Sequence, residues 1–222
     1  MKELIIFDLD GTLINSIADL GTATNYALRQ NGYPEHELSK FNMLVGNGVS
    51  KLIEHALPET ERTCKNIERI KKDFKTYYNE HNTDLTQPYP GIPELLETLQ
   101  QKDIKMAVAS NKYIEATEAL VKHFFPTINF VAIEGQREGV PVKPDPSVVF
   151  NILGKALVKK QNVLYVGDSG VDMETARRAC VDSVGVTWGF RSRAELQEYL
   201  AGNIVDKPEE ILELLDKETN QC

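Results

Sequence analysis

The strongest constraint on the fold of this 222-residue chain is the uneven way in which short apolar runs alternate with helical patterns. Leu4-Ile5-Ile6-Phe7 is continuously apolar and short, the pattern of a strand buried on both faces of a parallel sheet. From about residue 15 to 85 no second strand signal follows. A helix is predicted to run from Ser16, with Asp19 in capping-box spacing, to Asn31-Gly32, where glycine can end it. A second starts at Asn47-Gly48 and continues to Leu57, before Pro58, and a third, highly charged, spans about Glu61 to His81. Beyond Pro88-Tyr89-Pro90-Gly91 the alternation resumes. Helices at about 92–102 and 113–124 enclose the strand Lys105–Ala109, and a strand at about 129–133 follows. Next come a helix opening at Asp145-Pro146, the strand Val163–Gly167, a helix from about 171, a strand at about 183–187 and two short C-terminal helices. The reading is α/β, a doubly wound parallel sheet with an all-helical insertion.

In such sheets ligands bind at the carboxyl ends of the strands, so the residues found there matter most. The first strand ends in Asp8-Leu9-Asp10-Gly11-Thr12, and side chains two apart leave a strand on the same side. Two carboxylates about 4 Å apart repel by roughly 4 kcal/mol at an effective dielectric of about 20, which a divalent cation would reverse. Taken alone, the pair is also compatible with a solvated turn. The strand at 105–109 ends in Ser110-Asn111-Lys112, and the strand at 163–167 ends in Asp168-Ser169-Gly170-Val171-Asp172. Lys143 lies in Val142-Lys143-Pro144-Asp145-Pro146, ahead of a helix. By themselves Ser110-Asn111 would read as a helix cap and Lys143 as a surface lysine. Together these groups suit phosphate chemistry, with carboxylates for a metal and a nucleophile and a hydroxyl and ammonium for phosphate oxygens.

Charge and cysteine content narrow the partners. A net charge of −8 argues against binding to nucleic acid backbones or anionic membranes, although local positive charge could still hold an anionic substrate. Cys64, Cys180 and Cys222 are odd in number and far apart, which fits a reduced, cytoplasmic setting better than a disulfide framework or zinc site. Neither a secretory signal nor an apolar stretch near the ~20 residues of a membrane span is expected. The four histidines share no metal-ligand spacing.

Asp8-Leu9-Asp10-Gly11-Thr12, the strand ending at Ser110-Asn111, Lys143-Pro144-Asp145-Pro146 and Gly167-Asp168-Ser169-Gly170-Val171-Asp172 together resemble the four motifs of the haloacid dehalogenase superfamily of phosphotransferases. The four occur in order and frame nearly the whole chain. Gly46-Asn47-Gly48-Val49 and Val186-Thr187-Trp188-Gly189-Phe190 make it most similar to the phosphoglycolate phosphatase-like branch. The resemblance implies a Rossmann-like core over residues 1–14 and 86–222 and a mobile helical cap over 15–85. It implies Asp8 as the nucleophile that forms an aspartyl-phosphate, and Asp10 as the acid and base serving the leaving group and then water. Mg2+ would be held by Asp8, the backbone carbonyl of Asp10 and Asp168, with Asp172 either orienting metal-bound water or ligating directly. Ser110, the N–H of Asn111, Gly11 and Thr12 would surround the phosphoryl group, and Lys143 would pair with Asp8 and the phosphate.

Substrate choice is expected to lie in the cap. Gly46-Asn47-Gly48 at a helix start offers free N–H groups for a small anion such as the carboxylate of glycolate, with Lys51 as a second contact. An ordinary loop leading into a helix has the same composition. The expected activity is hydrolysis of a small phosphorylated metabolite, 2-phosphoglycolate first, by a monomer or homodimer. Pyrophosphatase and β-phosphoglucomutase-like chemistry share the same core, whereas Asp10 argues against dehalogenation, in which a halide leaves without a proton. A receiver-like phosphoacceptor switch would use similar groups but needs neither a helical insert of about 70 residues nor an acid two positions beyond the acceptor.

Overall fold

The computed structural model describes residues 2–219. In chain order, β1 (Leu4–Phe7) and the two-residue β2 (Ile14–Asn15) precede the helices α1 (Ile17–Gln30), α2 (Phe41–Leu44), α3 (Val49–Ala56) and α4 (Cys64–His81). The chain then forms β3 (Gln87–Pro88), α5 (Ile92–Gln101), β4 (Lys105–Tyr113), α6 (Ile114–Phe124), β5 (Phe130–Gln136) and α7 (Ser147–Ala156). It ends with β6 (Val163–Gly167), α8 (Gly170–Ala179), β7 (Asp182–Val186), α9 (Arg193–Glu198), β8 (Asn203–Val205) and α10 (Glu209–Thr219).

Six strands form one sheet in the order β5-β4-β1-β6-β7-β8, every neighbouring pair parallel. Chain progression reverses at β1, which pairs with β4 on one side and β6 on the other, so the residue following Phe7 emerges at the switch point where such sheets open a crevice. Period-two packing explains the continuous apolar run of β1. Ile5 and Phe7 join a layer with Leu95, Leu99 and Leu120 of α5 and α6, while Leu4 and Ile6 face Val149, Ile152 and Ala176 of α7 and α8. The crossover helices thus cover both faces of the sheet.

The inserted helices build a separate apolar cluster. Ile70, Phe74 and Tyr78 form one completely buried stripe on the otherwise charged α4 and meet Ala23, Ala27 and Leu28 of α1 and Ile53 of α3. Tyr113 and Ala116 from the sheet side join this cluster, which is how the cap packs on the core.

The structure departs from the expected pattern in four places. Ser16 and Asp19 make no capping box: the Ser16 hydroxyl donates to Asp10 Oδ1, and the Asp19 carboxylate accepts from Leu85 N, Thr86 N and Thr86 Oγ1. Tertiary partners across the chain's exit and return won over the local cap. β2 and β3, unpredicted, pair antiparallel at this same point. Strand β4 runs on through Ser110-Asn111-Lys112 to Tyr113, and the edge strand β8 is too short to show in a sequence pattern. Among the described residues no helix is long and apolar enough to cross a membrane. Cys64 and Cys180 are free and exposed, and Cys222 lies outside the described residues.

Candidate active site

Asp8 follows β1, Asp168 follows β6, and Asp172 lies in the first turn of α8, so three strand-end segments converge at the switch point. One carboxylate oxygen from each of these residues lies within 4.8 Å of the others, and all three side chains are buried. Burial pushes the Asp8 carboxyl up to about 7, reinforced by Asp172 and Asp10 and opposed by Lys143. Asp168 is held well above the ordinary carboxyl range by burial, then by Asp172 and Asp8. Lys143 Nζ lies 2.9 Å from Asp8 Oδ1 and 2.7 Å from Asp172 Oδ1. Burial works against its charge, but Asp172 and Asp8 outweigh that cost and raise its pKa well above the ordinary value. Three buried carboxylates against one ammonium leave negative charge that a hard cation would balance, and an all-oxygen donor set suits Mg2+.

The backbone around this cluster is tightly fitted. Gly11 has φ +88°, and a Cβ there would lie 2.4 Å from Asp168 Oδ2, so the turn after β1 excludes any side chain. Phe190 N donates to Asp168 Oδ2 at 2.7 Å, and Trp188 Nε1 donates to the Thr12 carbonyl at 3.0 Å. Asp172 does two jobs at once: besides pairing with Lys143 it accepts from Ser169 N and Ser169 Oγ, closing a capping box that fixes the start of α8.

Asp10 faces a different set of groups. Besides Ser16, its Oδ1 lies 3.0 Å from Lys112 Nζ, and that ammonium donates to the Tyr78 hydroxyl at 2.7 Å. The Lys112 side chain is only 4% exposed. Asp8, Asp10, Ser110, Asn111 and Lys112 line one wall of a cavity of about 40 Å³. Cap residues Leu20, Val45, Leu52, Phe74 and Tyr78 line the other. The loop from Val45 to Gly48 is pinned to the core at two points, by Asn111 Nδ2 donating to Gly46 O at 3.0 Å and Arg191 Nη2 donating to Val45 O at 2.8 Å. Arg191 Nη1 is buried with no hydrogen-bond partner among the described residues.

Most residues singled out from the sequence therefore meet in space: Asp8, Asp10, Ser110 and Asn111 line the cavity, Lys143, Asp168 and Asp172 cluster with Asp8 beside it, and Gly11 packs closely against Asp168. Asn111 contributes its side chain to the Lys143 backbone and the cap loop. Thr12 is fully buried, and its Oγ1 has no partner among the described residues. Gly46 and Gly48 line the cavity. Asn47, ahead of α3, and Lys51, in its first turn, are exposed and are not among the residues lining it, and Lys51 Nζ lies 2.7 Å from Glu54. Sequence reasoning missed Lys112, Tyr78, Ser16 and Arg191. For Lys112 a signal existed, since it stands two positions beyond Ser110 just as Asp10 stands two beyond Asp8.

Fold and site together define a capped α/β phosphatase. The chain belongs to the haloacid dehalogenase-like hydrolase family, whose model matches residues 5–186. It is 32% identical over 220 residues to the phosphoglycolate phosphatase of Pasteurella multocida, covering 96% of this chain and 98% of that protein. It is 35% identical over 192 residues to that of Agrobacterium fabrum, covering 86% and 82%. A crystal structure from Lactobacillus delbrueckii, provisionally described as a phosphoglycolate phosphatase, superposes with a TM-score of 0.89 at 34% identity over 95% of this chain and 97% of that one.

Proposed function

We propose that this phosphatase hydrolyses a small phosphomonoester, with 2-phosphoglycolate as the favoured substrate, through an aspartyl-phosphate on Asp8. The observation that carries this reading is the division of labour around the two strand-end acids. Asp8 lies against Lys143 and the carboxylate cluster, whereas Asp10 is held by Ser16 and Lys112 on the side that faces the cap. Asp8 attacks phosphorus as its carboxylate, and the P–O bond to the leaving alcohol breaks as Asp10 delivers a proton to that oxygen. Water then attacks the phosphoryl group, Asp10 takes up its proton, and the Asp8–phosphate bond breaks to release inorganic phosphate. Lys143, the Ser110 hydroxyl, the backbone N–H groups after β1 and the N–H of Asn111 within β4 balance the charge on the equatorial oxygens.

Asp8, Asp168 and the backbone carbonyl of Asp10 would hold Mg2+, with Asp172 beside them. When bound, the ion neutralises the crowded carboxylates and draws charge from the phosphoryl oxygens. Asp172, already committed to Lys143 and Ser169, fits an orienting role. A small leaving group is favoured by the small cavity and by the names of the similar proteins. Asp8→Asn is expected to lower kcat for 2-phosphoglycolate at least about 10⁴-fold while leaving a cooperative thermal transition. Substantial residual turnover by a folded variant contradicts the assignment.

A further inference from the structure

We infer that Lys112 is the specificity-determining residue of this site, its ammonium receiving a carboxylate carried by the leaving group. The inference rests on the phosphatase reading above and names the group that selects the alcohol. Among the charged residues lining the cavity, Asp8 and Asp10 are anionic and Lys112 is the one cation. The remaining wall toward the cap is largely apolar, with Leu20, Val45, Leu52 and Phe74, so an anionic group there has a single charged partner.

Lys112 is built as a receptor. Its side chain is buried, and its ammonium lies 4.7 Å from the centre of the Tyr78 ring as well as within hydrogen-bond reach of the Tyr78 hydroxyl. A buried ammonium is costly without acceptors, and the contacts described are one carboxylate oxygen and one phenolic oxygen. A third N–H therefore remains for a ligand. Tyr78, which accepts from Lys112, keeps its own O–H to donate, because burial, then Asp10 and Asp19, holds its pKa well above the ordinary phenol value. Two adjacent donors match the two oxygens of a carboxylate.

The cavity limits the ligand. Ser110 and Lys112 line it together with Asp8 and Asp10, so a phosphoryl group near Asp8 and Ser110 and a carboxylate at Lys112 share one space of about 40 Å³, which suits a short link between them. Tyr78 belongs to α4 of the cap and Lys112 to β4 of the core, so the receptor is complete only with the cap seated. Selection of the alcohol is then performed by a core lysine locked by a cap tyrosine, and not by Asn47 or Lys51.

The test compares two non-hydrolysable phosphonates in Mg2+ by calorimetry: 3-phosphonopropionate, which carries the carboxylate, and n-propylphosphonate, which replaces it with methyl. The protein is expected to bind the first at least about 10-fold more tightly. Lys112→Met should abolish that preference, Lys112→Arg should retain part of it, and Tyr78→Phe, which preserves the ring packing, should narrow it. Equal affinities in the unaltered protein, or the same preference in Lys112→Met, overturn the inference. Turnover of 2-phosphoglycolate, measured in parallel, reports on the phosphatase reading separately, because the phosphonate ratio does not depend on hydrolysis.

Discussion

Asp8 and Asp10 stand two residues apart, yet their carboxylates answer to different ammonium groups, Lys143 for one and Lys112 for the other. In the proposed mechanism that partition lets one acid attack while its neighbour handles protons. It also makes stability depend on pH. The Asp8 carboxyl rises from 3.8 to about 7 on folding, so the stability gained by keeping it protonated is fully present below pH 3.8 and is lost as pH rises through about 7. Asp168, shifted in the same direction, adds to the effect. In EDTA the Tm should therefore be lower at pH 8 than at pH 5, and added Mg2+ should raise it more at pH 8, where carboxylates are ionised and ready to bind. An equal rise at both values contradicts the assigned metal cluster. The acids were legible because strand-end position and two-residue spacing are local properties. Lys112 was not recognised because its meaning depends on Tyr78, 34 positions earlier in the chain, arriving from another element.

Elements meet at the base of the cap through side chains that a sequence pattern assigns elsewhere. Ser16 and Asp19 have capping-box spacing, but their partners are Asp10 and the 85–86 backbone. A buried carboxylate accepting from two backbone amides and a hydroxyl exceeds what a local helix cap offers, which is why the tertiary arrangement prevails. Asp19→Ala leaves those donors unsatisfied and should lower stability by about 1–3 kcal/mol, read as a shift of the urea midpoint with the m-value unchanged. Asp19→Asn should lose less, since one carbonyl oxygen still accepts. A loss below about 0.5 kcal/mol for Asp19→Ala would remove this clamp from the account. The strands of the main sheet were readable from apolar runs of four or five residues, Leu4–Phe7 and Val163–Gly167 above all. By contrast β2, β3 and β8 have two or three residues each and exist only through their partners.

Across the whole molecule, a crevice in the core is roofed by the inserted helices, which meet the core through a shared apolar cluster and a few polar contacts. The order of motifs made this division visible, since the helical stretch falls between β1 and the return at β3. How the roof is fastened was not visible. Arg191 and Asn111 hold carbonyls of Val45 and Gly46 from core segments 80 residues apart, and neither contact leaves a periodic trace. Arg191→Ala should accelerate amide hydrogen exchange across residues 41–52 and raise KM for 2-phosphoglycolate roughly 5- to 20-fold, with a smaller change in kcat. Unchanged exchange would show that Arg191 does not secure the loop. The central claim, that turnover passes through a covalent phosphoryl group on Asp8, is tested most directly by acid-quenching the protein during hydrolysis of 2-phosphoglycolate in Mg2+ and sequencing its peptides by mass spectrometry. The account predicts a phosphoryl adduct on Asp8 that builds up within the first turnover and is absent from Asp8→Asn; steady hydrolysis with Asp8 never modified would contradict it.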